Sequence, residues 1–492
     1  MKRLLLITVI LAGLFASCKK DKIAPPHQGD AFIKYYGHVR DQTASDIKKT
    51  ADGGFLLLGA SNSYSTSDFN DYFLVKTDSF GNEMWSKTFG ADGAVNFDEK
   101  GIAILVLADD EGYIVAGNRR EIVFLGGGQP SLGDSKIVLY KLDLDGVIVW
   151  EKVLRESQSE SYSDFVADIK QIPTGGFILI GETSKVKVDK PEFPQYGCLD
   201  KSDIVYMKVD DDGNLLAQHT RGFIGEDRGV SVEVVNNGFI IVGRESPRIG
   251  GTNCSAAEPN GIFGKNILCA RIRADNLQEI WFERFSEIGQ DYPGIKLETA
   301  YSCLDTANTT GQSMITIIAH AEPNLVNPSA KDGNLLVLKI SEDGTWISTD
   351  MAFYGKNSGT VGVSHDLEGG AIAIVPPQTQ GDSPSFILTA THKIGANGNV
   401  GAECMLLKLN YDLTIPDAWQ DKARFFGSPN ISGQWLGGNT AGRVIPLEEL
   451  VTGTTRKELT GYAFTGTFNL GTNNMIGLVK TNTIGTLTPE PE

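Results

Sequence analysis

The sequence predicts an all-β fold: a ring of seven propeller blades, each an antiparallel sheet of four short strands. Three observations carry this. A basic residue closes an apolar run at Lys76, Lys141, Lys208, Arg271, Lys339, Lys408 and Lys480, at spacings of 63 to 72 residues. The same order of apolar runs and Gly-containing turns surrounds each of them, and self-similarity at a fixed period marks a repeat architecture. Helical periodicity is absent from all seven units.

The first unit sets the pattern. The turn Asp52-Gly53-Gly54 leads into the run 55–59, a polar loop leads into 72–78, and a turn with Gly81-Asn82 leads into 85–90. Second-strand runs recur at 112–117, 175–181, 238–243, 314–319, 369–374 and 461–464. Trp85, Trp150, Trp281, Trp346 and Trp419 share one strand position, which predicts packing between blades. Turns such as Asp143-Leu144-Asp145-Gly146 read as hairpins, where Asp and Gly serve the turn itself. A calcium loop needs several converging oxygens and a distal bidentate Glu, so no metal is expected.

The seventh unit runs out after Ile484-Gly485, and the segment 32–37 aligns with 85–90. An N-terminal strand is therefore expected to close the last blade and cover its open edge.

Lys2 and Arg3 precede an apolar run at 4–15. It is shorter than the ~20 residues that span a bilayer and has the form of a signal-peptide core. The expected organisation is a signal peptide at 1–17, a flexible tether at 18–30 and one propeller domain at 31–492. Phe15-Ala16-Ser17-Cys18 resembles the bacterial lipobox, and with Lys19-Lys20-Asp21-Lys22 the start resembles lipoproteins of the Bacteroidetes group. The resemblance implies export and a lipid on Cys18, with attachment to the outer membrane and the side left open. The repeat turns resemble quinoprotein-like propeller repeats and, at Ser341-Glu342-Asp343-Gly344-Thr345-Trp346, the Asp-box of sialidases; in both families these turns are structural. The chain has no Cys-Cys pair such as quinoprotein dehydrogenases carry near their cofactor, and no cofactor is expected.

Cys198, Cys254, Cys269, Cys303 and Cys404 show no CxxC spacing, against a zinc or haem site. Cys198 and Cys254 fall in loops of neighbouring units, where a disulfide is one reading and two free thiols the other. The other three sit in apolar runs and read as small buried hydrophobes.

Formal net charge is −17, and −19 once Lys2 and Arg3 are cleaved off. That balance argues against nucleic acid and an anionic membrane surface as partners. No His-Glu-x-x-His, Gly-x-Ser-x-Gly or phosphate loop is present, so no catalytic residue is assigned. Long connections between second and third strands are read at 182–202, 244–265 and 376–403, and such loops on a rigid scaffold carry binding. The candidate ligand-binding residues are Trp435, Arg119, Tyr196 and Arg244, with Arg120, Arg248 and His392 beside them. Trp435, among glycines, stacks on a ligand or plugs the channel. A sialidase-like site would instead bring Arg119, Arg244 and Arg443 together.

The function expected is a binding or scaffold lipoprotein, a monomeric ring that meets a protein or glycan on its loop-rich face and touches the membrane only through its lipid. The rival readings are a carbohydrate-active lyase or hydrolase with its site over the channel, and an assembly lipoprotein that binds protein through a blade edge or an inter-blade groove.

Overall fold

A computed structural model describes residues 31–63, 69–90, 97–108, 111–124, 130–155, 162–185, 202–222, 227–245, 266–285, 297–305, 314–321, 334–345, 351–354, 363–379, 382–396, 399–419, 423–427 and 438–487. They form seven four-stranded antiparallel sheets arranged as propeller blades. Blade 1 consists of Gln42–Lys49, Phe55–Ser61, Asp71–Thr77 and Glu83–Phe89, from the channel outward. Blade 2 is Phe97–Val106, Tyr113–Phe124, Pro130–Leu142 and Ile148–Val153; blade 3 is Tyr162–Gln171, Phe177–Lys185, Asp203–Val209 and Leu215–Arg221. Blade 4 is Arg228–Val235, Gly238–Glu245, Asn266–Arg273 and Glu279–Phe285; blade 5 is Leu297–Asp305, Met314–Ala321, Asn334–Ser341 and Met351–Tyr354. Blade 6 is Val363–Val375, Ser385–Ala396, Asn399–Asn410 and Arg424–Phe426. Blade 7 takes Thr440–Leu450, Lys457–Asn469 and Asn474–Thr481 from the C-terminal end and Phe32–Tyr36 from the N-terminal end as its outer strand.

A single blade leaves both faces of its sheet apolar, and stacking neighbours buries them. The described core accordingly falls into seven clusters, each drawn from two adjacent blades. The cluster that joins the chain ends mixes Ile47, Leu57 and Val75 of blade 1 with Ile476, Leu478 and Tyr36 of blade 7.

The residues that mark the repeat explain how blades lock. Trp85 of blade 1 lies against Gly146 in the turn between the third and outer strands of blade 2, so closely that a Cβ there would come within 2.9 Å of the indole. Trp150 meets Gly213, Trp281 meets Gly344, Trp419 meets Gly485, and Phe32 meets Gly81 in the same way. These glycines also have positive φ, so the position demands glycine for both space and backbone. In other blades the basic residue of the third strand reaches the equivalent turn of the next blade, whereas Lys76 and Lys141, opposite Trp85 and Trp150, pair with Asp52 and Glu111 of their own blades. Lys208 donates to Ala274 O at 3.0 Å, Lys339 to Tyr411 O at 2.9 Å, and Lys480 to Ser79 O at 3.4 Å. Phe32 and Lys480 thus repeat across the ring closure what Trp and Lys do elsewhere. The turns are held from within by Asp or Asn: Asp143 Oδ1 accepts from the N–H groups of Asp145 and Val147, and Asp210 Oδ1 from those of Asp212 and Asn214.

Blade 6 departs from the sequence reading. The run 369–374 belongs to the inner strand, and the second strand is Ser385–Ala396. Gly369-Gly370 resembles the glycine pair that opens second strands in other units, but it sits at an inner-strand bulge between Gly369 and Ala371. A Cβ on Gly370 would lie 2.4 Å from Thr389 O. The expected loop 376–403 is therefore the connection 376–384 followed by most of a long β-hairpin. His392 stands on its first strand, and Arg119 and Arg120 stand on the second strand of blade 2 rather than in loops.

Candidate functional site: the channel and its loop side

First-to-second and third-to-outer connections lie on one side of the ring, the tight-turn side. Second-to-third connections lie on the other, the loop side. Each of the seven inner strands carries a β-bulge at the same height, beside Ser45, Ile102, Ala167, Val230, Glu298, Gly370 and Gly442. A bulge frees backbone groups and bends the strand. Here the bulges shape the wall of the channel. At the loop-side mouth a cavity of about 200 Å³ is lined by Ser45, Lys100, Ile102, Ala167, Gly370, Gly442 and Arg443, from five blades.

Just inside the mouth lies a charge network. Arg443, in the two-residue bulge of blade 7, extends across the channel and donates through Nη2 to Asp168 Oδ1 of blade 3 at 2.9 Å, with its Nε 4.0 Å from Asp46 Oδ1 of blade 1. Lys48 lies 3.0 Å from Asp46. Lys170 lies 3.8 Å from Asp168 and 3.4 Å from Glu233. Three carboxylates thus meet three cations.

The aspartates also take backbone donors of the next blade. Ile104 N–H donates to Asp46 Oδ2 at 2.9 Å and Val232 N–H to Asp168 Oδ2 at 3.2 Å. Burial pushes the Asp168 carboxyl up, but Lys170, Arg443 and the Val232 N–H outweigh it and hold the group below its ordinary range. Burial pulls Lys170 down, yet Asp168 and Glu233 hold it above the ordinary lysine value. For Lys48, burial wins over Asp46 and lowers the value.

The second strands carry two further polar positions on the loop side. One residue past the small residue at the blade waist (Gly117, Gly181, Ala319, Ala390 or Gly466), the side chain reaches the inner strand of the next blade. Asn118 Oδ1 accepts from Val166 N–H at 2.8 Å, Thr391 Oγ1 from Ala441 N–H at 3.0 Å, and Thr467 Oγ1 from Ala44 N–H at 3.0 Å. His320 Nδ1 bonds Leu367 O at 2.5 Å, and Glu182 pairs with Arg228 at 2.6 Å. Arg244, after Gly243, occupies this position in blade 4 and is buried.

Two residues past the waist, the polar group is paired within its own blade, and at Glu245 also with the preceding blade. Arg119 pairs with Glu99 at 2.5 Å and Glu151 at 2.8 Å and donates to Tyr140 Oη at 2.5 Å. Burial would lower its guanidinium, but Glu151, Tyr140 and Glu99 raise it above the ordinary arginine value. Glu245 lies between Arg284 at 2.6 Å and Arg221 at 3.4 Å. His392 Nδ1 bonds Glu403 at 2.8 Å.

Arg119, Arg244 and His392 therefore stand in three different blades, each at a repeat position, while Arg443 enters the channel. Trp435, Tyr196, Arg248, Cys198, Cys254 and Cys18 lie outside the described residues, as do the signal and tether segments. Cys269 and Cys404 are buried thiols, pushed up by burial. Sequence reasoning missed the channel network, although Asp46-Ile47-Lys48 and Asp168-Ile169-Lys170 repeat visibly at equivalent positions of blades 1 and 3.

No family model matches the chain, and no curated protein matches it. Solved structures do resemble it at the level of the propeller. A D477G chimera of apocarotenoid oxygenase and RPE65 is 13% identical, with 94% of this chain and 93% of that one covered and a TM-score of 0.42. Drosophila Semaphorin 1a, extracellular domains 1–2, is 8% identical, with coverage of 92% and 88% and a TM-score of 0.41. An α-L-arabinofuranosidase from Fusarium graminearum is 11% identical, with coverage of 77% and 100% and a TM-score of 0.42.

Proposed function

We propose that this propeller is a binding or scaffold protein of the cell envelope, lipid-anchored through Cys18, that meets a protein or glycan on its loop side. The observation that carries this reading is the commitment of the ring's own polar side chains. Arg119 and His392 are paired within their blades, Glu245 is paired with Arg284 of its own blade and Arg221 of blade 3, and the second-strand polar residues one step earlier join neighbouring blades. Among the described residues the channel is crossed by Arg443, which meets Asp168 and Asp46. What varies between blades is the length of the loop-side connections. Lys185 and Asp203 in blade 3, and Glu245 and Asn266 in blade 4, are joined by long segments that include Tyr196 and Arg248, while two residues separate Ala396 from Asn399 in blade 6. Elaborated loops on a rigid ring are the usual seat of recognition.

A glycan array and envelope cross-linking with the soluble chain 30–492, each repeated with Trp435→Ala, test the reading. Specific glycan or protein capture without product formation supports it, and loss in the variant places Trp435 at the contact. Turnover of a captured glycan would replace it with the carbohydrate-active enzyme.

A further inference from the structure

We propose that the loop-side mouth of the channel is a binding site for a single carboxylate, carried on the terminal acidic sugar of a glycan. The inference rests on the loop-side reading above and deepens it by naming the ligand class. It comes from how charge is layered around the mouth. Two cations line the cavity there, Lys100 of blade 2 and Arg443 of blade 7, and among the described residues no carboxylate does. Below them the network is sorted by exposure. Asp46, Asp168 and Glu233 keep 1%, 3% and 10% of their side chains exposed, whereas Lys48, Lys170 and Arg443 keep 30%, 29% and 17%. Asp46 and Asp168 turn to backbone N–H groups of the next blade. What this part of the channel presents to solvent is therefore cationic, although carboxylates stand behind it.

Lys100 breaks the balance of the network. It is exposed, two residues ahead of the bulge at Ile102, and among the described residues it pairs with no carboxylate. The three carboxylates are already matched by Lys48, Lys170 and Arg443, so Lys100 is a surplus of one positive charge. One surplus charge suits a monoanion, and an ammonium beside a guanidinium suits the two oxygens of a carboxylate. The mouth is hollow because the bulges of four blades carry small residues there: Ser45, Ala167, Gly370 and Gly442. A water takes about 30 Å³ in the liquid, so a cavity of about 200 Å³ has room for about six or seven waters, or for one pyranose ring with its carboxylate. Ile102 supplies an apolar wall for the ring. The net charge of −17 repels polyanions, so the ligand that fits has one acidic end and is not a polyuronate.

Calorimetric titration of the soluble chain 30–492 at low salt tests this, with glucuronate, its neutral methyl ester and acetate as probes. Glucuronate is expected to bind, the ester about ten-fold more weakly, and acetate more weakly than glucuronate because it leaves the ring space unfilled. Lys100→Met is expected to weaken glucuronate about ten-fold, the worth of one charge-assisted contact, and Lys100→Arg to restore it. Lys87→Met removes an exposed lysine from the outer strand of blade 1 and is expected to change nothing. No binding of glucuronate, binding that survives Lys100→Met, or an ester that binds as well overturns the carboxylate site. Acetate that binds as tightly as glucuronate overturns the acidic sugar as its ligand. Glycan capture on the array that Lys100→Met leaves unchanged overturns the channel site and leaves the loop-side reading standing. Glucuronate binding lost in Lys100→Met, without capture of any larger glycan or protein, leaves the channel site standing and overturns the loop-side reading.

Discussion

Replacing Arg443 by Met keeps the aliphatic stem and removes the charge that crosses the channel. Asp168 is almost fully buried, with 3% of its side chain exposed, whereas the Arg443 side chain keeps 17%. Breaking a fully buried pair costs ~3–5 kcal/mol, because the surviving charge is stranded. Here Asp168 retains the Val232 N–H, the Ser231 hydroxyl at 3.3 Å and Lys170. Partial exposure and these remaining partners reduce the expected loss to about 2 kcal/mol. The assay is urea unfolding of the soluble ring, run as a cycle with Asp168→Asn. The coupling expected between the two positions is about 1–2 kcal/mol. Arg443→Lys is not expected to restore it, since a point ammonium cannot serve both Asp168 and Asp46 as the guanidinium fork does. Single losses that add to within ~0.5 kcal/mol in the double variant would refute the cross-channel bond as a source of ring stability.

Four other outcomes follow from the same geometry. Arg119→Met strands Glu99 among Tyr140 and its neighbours and is expected to cost ~3–5 kcal/mol, read as a lowered thermal midpoint; an unchanged midpoint would contradict the ion-pair role. Asn118→Ala removes the acceptor of the Val166 N–H, at about 1–3 kcal/mol, and amide exchange at Val166 should accelerate while exchange at Ala441 does not. Deleting residues 31–36 bares the Asn474–Thr481 edge and uncovers Gly81, so sedimentation should show concentration-dependent association. Asp168 has a depressed value in the folded ring; its stabilisation is complete above the unfolded carboxylate range near pH 4 and is lost as pH falls through the lower folded value. Without Arg443 that folded value rises, so the acid-unfolding midpoint of Arg443→Met should move to higher pH than that of the parent; a midpoint that stays put would exclude the linkage.

The blades were legible because several of their markers serve contacts that recur from blade to blade. Lys208, Lys339 and Lys480 recur because each staples a neighbouring turn, and Trp85, Trp150, Trp281 and Trp419 because each fills the space over a glycine of the next blade. Phe32 could be aligned with Trp85 from sequence for the same reason: it does the same job across the closure. Blade 6 misled because glycine has two uses in this fold. Gly175-Gly176 opens a turn with positive φ, while Gly370 makes room for Thr389 at a bulge, and a pair of glycines in sequence looks the same in both.

The candidate site was less legible because its members belong to different blades and different repeat positions. Arg119 and Arg244 are adjacent in kind but not in place: one is locked inside blade 2 and the other lies at the interface position of blade 4. Register decides this, and register is set by the small residue at the waist, Gly117 or Gly243, from which each arginine is counted. Arg443 and Asp168 are 275 residues apart and meet only because the inner strands of blades 7 and 3 face each other over the axis. The Asp46-Ile47-Lys48 and Asp168-Ile169-Lys170 repeats carried half of that information, but a lysine two residues after an aspartate reads as a solvated strand face. Ring closure changes its meaning. With seven inner strands around one narrow channel, Asp46 and Asp168, each just past a bulge, have a lysine on their own strand and also meet a shared cation from another blade. Arg443, on the inner strand of blade 7, supplies that cation, so the cross-channel pairing forms only once the last blade is in place.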